Sequence, residues 1–194
     1  MKASDIVLTG ASILTAAMLF AGCAGITHEP KVDMSALPVV DDAAFLNALN
    51  SIGIEEADVR TMTDTSFSFS DNDTDYKVVI NLDATSEKNN QFSYSQCADE
   101  KTARELFDYY YDNYDHLFDA EEFSGISSHE IGSDSAYVLI DGRCDNNTTN
   151  TYTPYHDAIF LKGDTVMVVV ASDYDIITEK EINDFLKTLG YPHP

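Results

Sequence analysis

Asp71-Asn72-Asp73-Thr74-Asp75 places an acid at every second position. Carboxylates that converge this way can ligate calcium, which takes about 6–8 oxygens. The EF-hand loop needs glycine at its sixth position and glutamate at its twelfth. Tyr76 and Leu82 stand there instead, so the match fails. The segment reads either as a polar turn before a strand or as a weak, irregular calcium site on Asp71, Asp73 and Asp75. No other cofactor is expected. A second chemical stretch is Phe107-Asp108-Tyr109-Tyr110-Tyr111-Asp112-Asn113-Tyr114-Asp115. Tyrosines among acids can stack on sugar rings and bond hydroxyls. Phe107, Tyr110 and Tyr114 fall on the apolar side of a helix, which leaves Tyr109 and Tyr111 as a candidate ligand surface.

The five histidines, His28, His116, His129, His156 and His193, form neither an HExxH pair nor a Cys/His cluster. The chain contains no GxSxG elbow, no GxxxxGK[ST] loop and no GxGxxG turn. Paired carboxylates are frequent, but 34 Asp and Glu residues make pairs inevitable, so they carry no glycosidase signal. No catalytic residue is assigned. Against those 34 acids stand 11 Lys and Arg, for a net charge of −23. That balance argues against nucleic acid and against a basic lipid-binding patch. Any partner should be neutral, cationic or a divalent metal. With 44% hydrophobic residues in 194, the chain can bury one core and is not a disordered acidic tail.

The N-terminal stretch MKASDIVLTGASILTAAMLFAGC has a short positive start, an apolar middle and small residues at its end. Its last five residues, Leu19-Phe20-Ala21-Gly22-Cys23, resemble a bacterial lipobox, with Phe20 where that family usually has leucine. The resemblance implies a signal peptide over residues 1–22 and lipid attachment at Cys23. It implies export and anchoring to the cell membrane, facing outside the cytoplasm. The apolar run, Ile6 to Ala21, is short for a spanning helix of about 20 residues. Two acyl chains on one cysteine would supply the double signal that stable anchoring needs. Cleavage would remove one base, Lys2, and one acid, Asp5, so the whole charge of −23 stays on the exported part. Cys97 and Cys144 then remain, in a compartment where disulfides persist, and are expected either to pair or to stay as two thiols. Residues 23–40 hold Gly25, Pro30 and Pro38 and read as the lipidated cysteine and its tether, with one globular domain over 41–194.

Three helices frame that domain. Asp41 caps the first, Phe45, Leu46, Leu49 and Ile52 form its apolar face, and Gly53 ends it. The second runs from about Asp99 to Phe118, with Ala103, Leu106, Phe107, Tyr110, Tyr114 and Leu117 at helical spacing. Thr178 and Glu181 read as a capping box for the third, which buries Ile182, Phe185, Leu186 and Leu189 and stops at Gly190. Strands are expected at Tyr76–Leu82, with Val78, Ile80 and Leu82 on one face, and at Gln91–Cys97. Further strands are expected at Ser135–Asp141, Asp157–Lys162 and Thr165–Ala171, with weaker ones near 61–69 and 127–131. Thr165–Ala171 is apolar on both faces and belongs in the middle of the sheet. Residues 142–156 form a long polar segment that could offer a binding loop. The order of strands followed by a helix repeats faintly, as a duplication or a chance likeness of amphipathic helices would produce.

The fold class is α+β: an antiparallel twisted sheet of about five to seven strands, with about three helices mainly on one face. The expected role is a non-catalytic, lipid-anchored, monomeric binding or scaffolding module at the cell envelope. Its partner would be an envelope protein, a glycan or a small solute. An extracytoplasmic hydrolase with an unrecognised site, or a calcium-assisted adhesin or solute-binding accessory, are the alternatives.

Overall fold

The computed structural model describes residues 32–69, 74–118, 120, 122–146, 149, 151–172 and 176–194. The signal segment and Cys23 lie outside the described residues, as do Asp71 and Asp73. Among the described residues no helix is long and apolar enough to cross a membrane.

Seven strands form one antiparallel sheet: β1 (Arg60–Phe67), β2 (Tyr76–Thr85), β3 (Gln91–Cys97), β4 (Phe123–Ile131), β5 (Ser135–Asn146), β6 (Thr151–Lys162) and β7 (Thr165–Val170). Their spatial order is β1-β2-β3-β7-β6-β5-β4, so the apolar β7 is central, as its sequence requires. The helices are α1 (Asp42–Ser51), α2 (Glu100–Asp112), the one-turn α3 (Asp115–Phe118) and α4 (Ile176–Leu189). The expected helix over 99–118 is thus broken at Asn113-Tyr114.

The α+β class holds, and the helices divide between the two faces of the sheet. Phe45, Leu49, Phe185 and Leu186 from α1 and α4 pack on Leu82, Phe92, Phe160 and Met167. Leu106, Phe107 and Leu117 from α2 and α3 pack on Val138, Ile159, Val166 and Val168. Two covered faces follow from the runs Ala158–Leu161 in β6 and Val166–Val170 in β7, whose successive side chains are apolar and must each find a partner layer. This arrangement excludes the simplest duplication. β3 and β7 are antiparallel neighbours, so a two-fold relating the halves would leave α2 and α4 on one face, and they lie on opposite faces.

Local signals set the helix ends. Asp41 accepts a hydrogen bond from the Ala44 amide at 2.8 Å, and Asp99 from the Thr102 amide at 2.7 Å. At the end of α1, Gly53 sits at φ 91°, while the Ile54 amide reaches the Leu49 carbonyl at 3.0 Å. That left-handed turn spends the last carbonyls of the helix. Opposite one another in β4 and β5, Gly125 and Gly142 approach so closely that a Cβ on Gly125 would lie 2.2 Å from the Asp141 carbonyl oxygen.

Four sequence expectations change. Thr178 lies inside α4, not at its cap, and Glu181 bonds Asn90 instead of closing a capping box. A register shift at Val79 turns Tyr76 and Val78 toward the α2 layer, while Ile80 and Leu82 face the α1 layer. The polar segment 142–156 is not a loop: Asp141 to Asn146 pair with Thr151 to His156 as a continued hairpin. Polar side chains suit these strand ends because β7 does not extend alongside them, and Pro154 is tolerated there for the same reason. Finally, part of the tether is packed. Leu37 and Val40 are buried, and Tyr191 donates to the Pro38 carbonyl at 2.9 Å.

Candidate binding cleft

β2 and β3 are paired with Asp83 opposite Ser93 and Asn81 opposite Ser95. Strand alternation sends Leu82, Ala84, Phe92 and Tyr94 into the α1 layer. The same alternation must send Asn81, Asp83, Ser93 and Ser95 to the α2 side. There they form one polar chain. The Ser95 hydroxyl donates to Asn81 Oδ1 at 2.6 Å, Asn81 Nδ2 donates to Asp83 Oδ2 at 2.7 Å, and the Ser93 hydroxyl donates to Asp83 Oδ1 at 2.7 Å. Asn81 and Ser95 are buried, whereas Asp83 and Ser93 are half-buried. Each carboxylate oxygen has one fixed partner and further accepting capacity.

This floor opens into two neighbouring clefts that share Asp83, Ser93 and Tyr110. One, of about 290 Å³, is walled by Arg60, Met62, Phe67 and Phe69; the other, of about 280 Å³, by Gln91, Asn113, Tyr114 and Val170. The walls are braced. Phe69 stacks on Tyr109 at 4.0 Å and meets Tyr110 edge-on at 5.6 Å. Burial, with the nearby charge of Asp83, pushes the Tyr110 phenol well above its ordinary value, so it stays a neutral hydroxyl. An acceptor-rich floor under aromatic faces suits a small ligand with an ammonium or hydroxyl donor and an apolar body.

Three buried polar groups do other work, and of these only Asp157 lies beside this site. Tyr114 donates to Asp157 Oδ2 at 2.9 Å, and the Ala171 amide donates to Asp157 Oδ1, also at 2.9 Å. Burial pushes the Asp157 carboxyl up to about 6, against those hydrogen bonds, which lower it. On the opposite face, His156 Nδ1 lies 3.2 Å from Asp141 Oδ1, and Nε2 lies 3.2 Å from Asn183 Oδ1. Burial alone would lower the imidazole, but the hydrogen bond and charge of Asp141, helped by Asn183, raise it above its ordinary value. With 2% of its side chain exposed and both ring nitrogens engaged, His156 ties the β5–β6 pair to α4. Neither ring nitrogen of His156 is left open for acid–base work. Glu181, also buried, accepts from Asn90 Nδ2 at 2.7 Å and Lys88 Nζ at 3.2 Å, which fastens α4 to the β2–β3 turn.

The residues singled out from sequence fare differently. Tyr109 and Tyr111 do not form one surface. Tyr109 leans on Phe69 at the cleft wall, while Tyr111 stacks beside Phe118 and donates to Asp115 at 3.0 Å. Positions two apart on a helix point to different sides. Cys97 and Cys144 are free thiols. They lie on β3 and β5, with β7 and β6 between them, a gap of about 14 Å at ~4.8 Å per strand, far beyond the ~7 Å that a disulfide allows. Burial pushes the Cys97 thiol up to about 12. Asp75 is exposed, and among the described residues no group of three or more His, Cys, Asp or Glu side chains could hold a metal ion. Asp83, Asn81, Ser93 and Ser95 were not singled out from sequence. Their signal was the matched pattern Asn-Leu-Asp-Ala and Phe-Ser-Tyr-Ser, small polar residues on the same alternate positions of consecutive strands.

Comparison with protein-family models, with curated proteins and with solved structures gives no match to this chain.

Proposed function

We propose that this protein is a lipid-anchored, monomeric, non-catalytic module that captures a small solute outside the cytoplasm, in the cleft floored by Asp83. The observation that carries the reading is the Ser95–Asn81–Asp83–Ser93 chain, which presents a fixed carboxylate between braced aromatic walls. A fixed acceptor needs little reorganisation on binding, which is where affinity for small ligands is gained. The net charge of −23 favours neutral or cationic ligands and repels anions. The lipobox-like residues up to Cys23 support anchoring, and the acid excess keeps the domain solvated above the membrane.

The second reading is an extracytoplasmic hydrolase with an unrecognised site, for which His156, closed on both nitrogens, would not be the base. The test is a titration of the isotope-labelled domain with neutral sugars, organic amines and free amino acids, followed by NMR. At least one class should move the Tyr110 and Ser93 resonances in a saturable way. If no class moves them at millimolar concentration, the cleft is not a solute site. In parallel, a metabolic palmitate label should be incorporated by the parent and lost in Cys23→Ala.

A further inference from the structure

Arg60 and Asp83 are directly opposite each other on β1 and β2, and both line the same cleft. Directly opposite residues on antiparallel strands have Cα atoms about 4.5–5.5 Å apart, close enough for an Arg–Asp pair. The two do not form one. Asp83 is held toward the floor by Asn81 and Ser93. Among the described residues, the hydrogen bond of the Arg60 guanidinium goes to Met62 Sδ, at 3.5 Å. A thioether is a weak acceptor for a fork of five N–H groups. The cleft therefore presents a cation and an anion side by side, each with bonding capacity left, beneath the faces of Phe69 and Tyr110.

Resting on the solute-capture reading, we infer that the ligand is a zwitterion, a free α-amino acid with an apolar or aromatic side chain. Its ammonium meets Asp83, its carboxylate meets the Arg60 fork, and its side chain lies along Phe67, Phe69 and Tyr110. The ammonium and carboxylate of an α-amino acid are separated by one carbon, which matches charges displayed from directly opposed residues. Arginine suits the carboxylate end because its planar fork can bond both oxygens at once. A zwitterion carries no net charge, so the acidic domain does not repel it. The volume, about 290 Å³, lies at the lower end of ligand sites and favours a ligand of this size over an oligosaccharide.

The same pair of charges occurs in an ethanolamine phosphate headgroup, so the experiment separates the two sources. The full exported domain is titrated calorimetrically with L-leucine, L-phenylalanine, phenethylamine, N-acetyl-L-phenylalanine and glycerophosphoethanolamine. At least one free amino acid should bind. Phenethylamine, which lacks the carboxylate, and N-acetyl-L-phenylalanine, which lacks the ammonium, should each bind at least tenfold more weakly than L-phenylalanine. Arg60→Gln should weaken the amino acid at least tenfold and leave phenethylamine unchanged; melting curves check that the exposed substitution keeps the fold. Equal binding of phenethylamine and L-phenylalanine would overturn the zwitterion and leave an amine site in the cleft. Stronger binding of glycerophosphoethanolamine than of either amino acid would overturn it in favour of a lipid headgroup. Absence of binding by every probe overturns the zwitterion, while a sugar shifting Tyr110 in the NMR titration would still uphold solute capture.

Discussion

Ser93 on β3 donates its hydroxyl to Asp83 on β2 at 2.7 Å, and the two residues face each other directly across the strand pair. This bond fixes one carboxylate oxygen while Asn81 fixes the other. Replacing Ser93 by alanine removes a bond to a charged acceptor, a change of about 1–3 kcal/mol when the group is buried and less for this half-open pair. Ser93→Ala should therefore lower stability by about 1 kcal/mol in urea unfolding, and weaken cleft ligands by freeing the carboxylate to rotate. A loss of stability with unchanged ligand affinity would separate the bond from binding.

Asp157 makes stability depend on pH. Its unfolded carboxyl titrates near 3.8 and its folded one at about 6, because burial disfavours the charge. The native state holds the proton more tightly, so stability falls as pH rises from about 4 to 6. His156 adds to this at higher pH. Its raised folded value gives stability that is complete below the ordinary 6.5 and lost as pH climbs through the folded value. Asp157→Asn keeps an acceptor for the Ala171 amide and cannot ionise. Relative to the parent, it should flatten the loss between pH 4 and 6, a difference of up to about 3 kcal/mol. Melting temperatures of both proteins across that range measure it, and parallel curves would exclude the effect.

Glu181 distinguishes a helix cap from a tertiary clasp. An N-terminal cap contributes about 1 kcal/mol, whereas losing Glu181 takes from the buried Asn90 amide its 2.7 Å charged acceptor and leaves only the Thr178 carbonyl at 3.4 Å, a cost of about 2 kcal/mol. Glu181→Ala should show the larger loss. In a double-mutant cycle, Asn90→Ala and Glu181→Ala should couple by at least about 0.5 kcal/mol. Additive losses would return Glu181 to a purely local role.

The cysteines give a chemical check on the strand order. Denatured, unreduced protein should yield both Cys97 and Cys144 to alkylation. In native protein at pH 8, half-buried Cys144 should label first, because Cys97 is 1% exposed and its thiol is pushed up to about 12. Recovery of a linked Cys97–Cys144 peptide would contradict a sheet that places β7 and β6 between them.

What could be read from sequence was mostly local. Asp41, Asp99, Gly53 and Gly190 mark helix ends because the side chain or backbone that caps a helix is also part of its sequence. Strand β3 was legible to the residue, and the central place of β7 follows from its double-sided apolarity. The rest is set by partners distant in sequence. The shift at Val79, the extension of β5 and β6 through polar residues and the division of helices between faces each depend on which strand lies alongside. The binding cleft belongs to this second group. Nothing in Asp83 distinguishes it among 34 acids until pairing brings Ser93 opposite it and Arg60 to its other side. The same holds for Glu181, where a local capping pattern competes with Asn90, 91 residues away in sequence, and the buried tertiary contact wins.

The central claim is that the Asp83 cleft is where this domain meets its ligand. The most direct measurement is a residue-resolved NMR map of the exported domain titrated with the solute that binds it best. The account predicts saturable shifts at Asp83, Ser93, Phe69 and Tyr110, abolished in Asp83→Asn with the rest of the spectrum unchanged. Shifts centred instead on the exposed β5–β6 hairpin around Tyr152, and indifferent to Asp83→Asn, would contradict it.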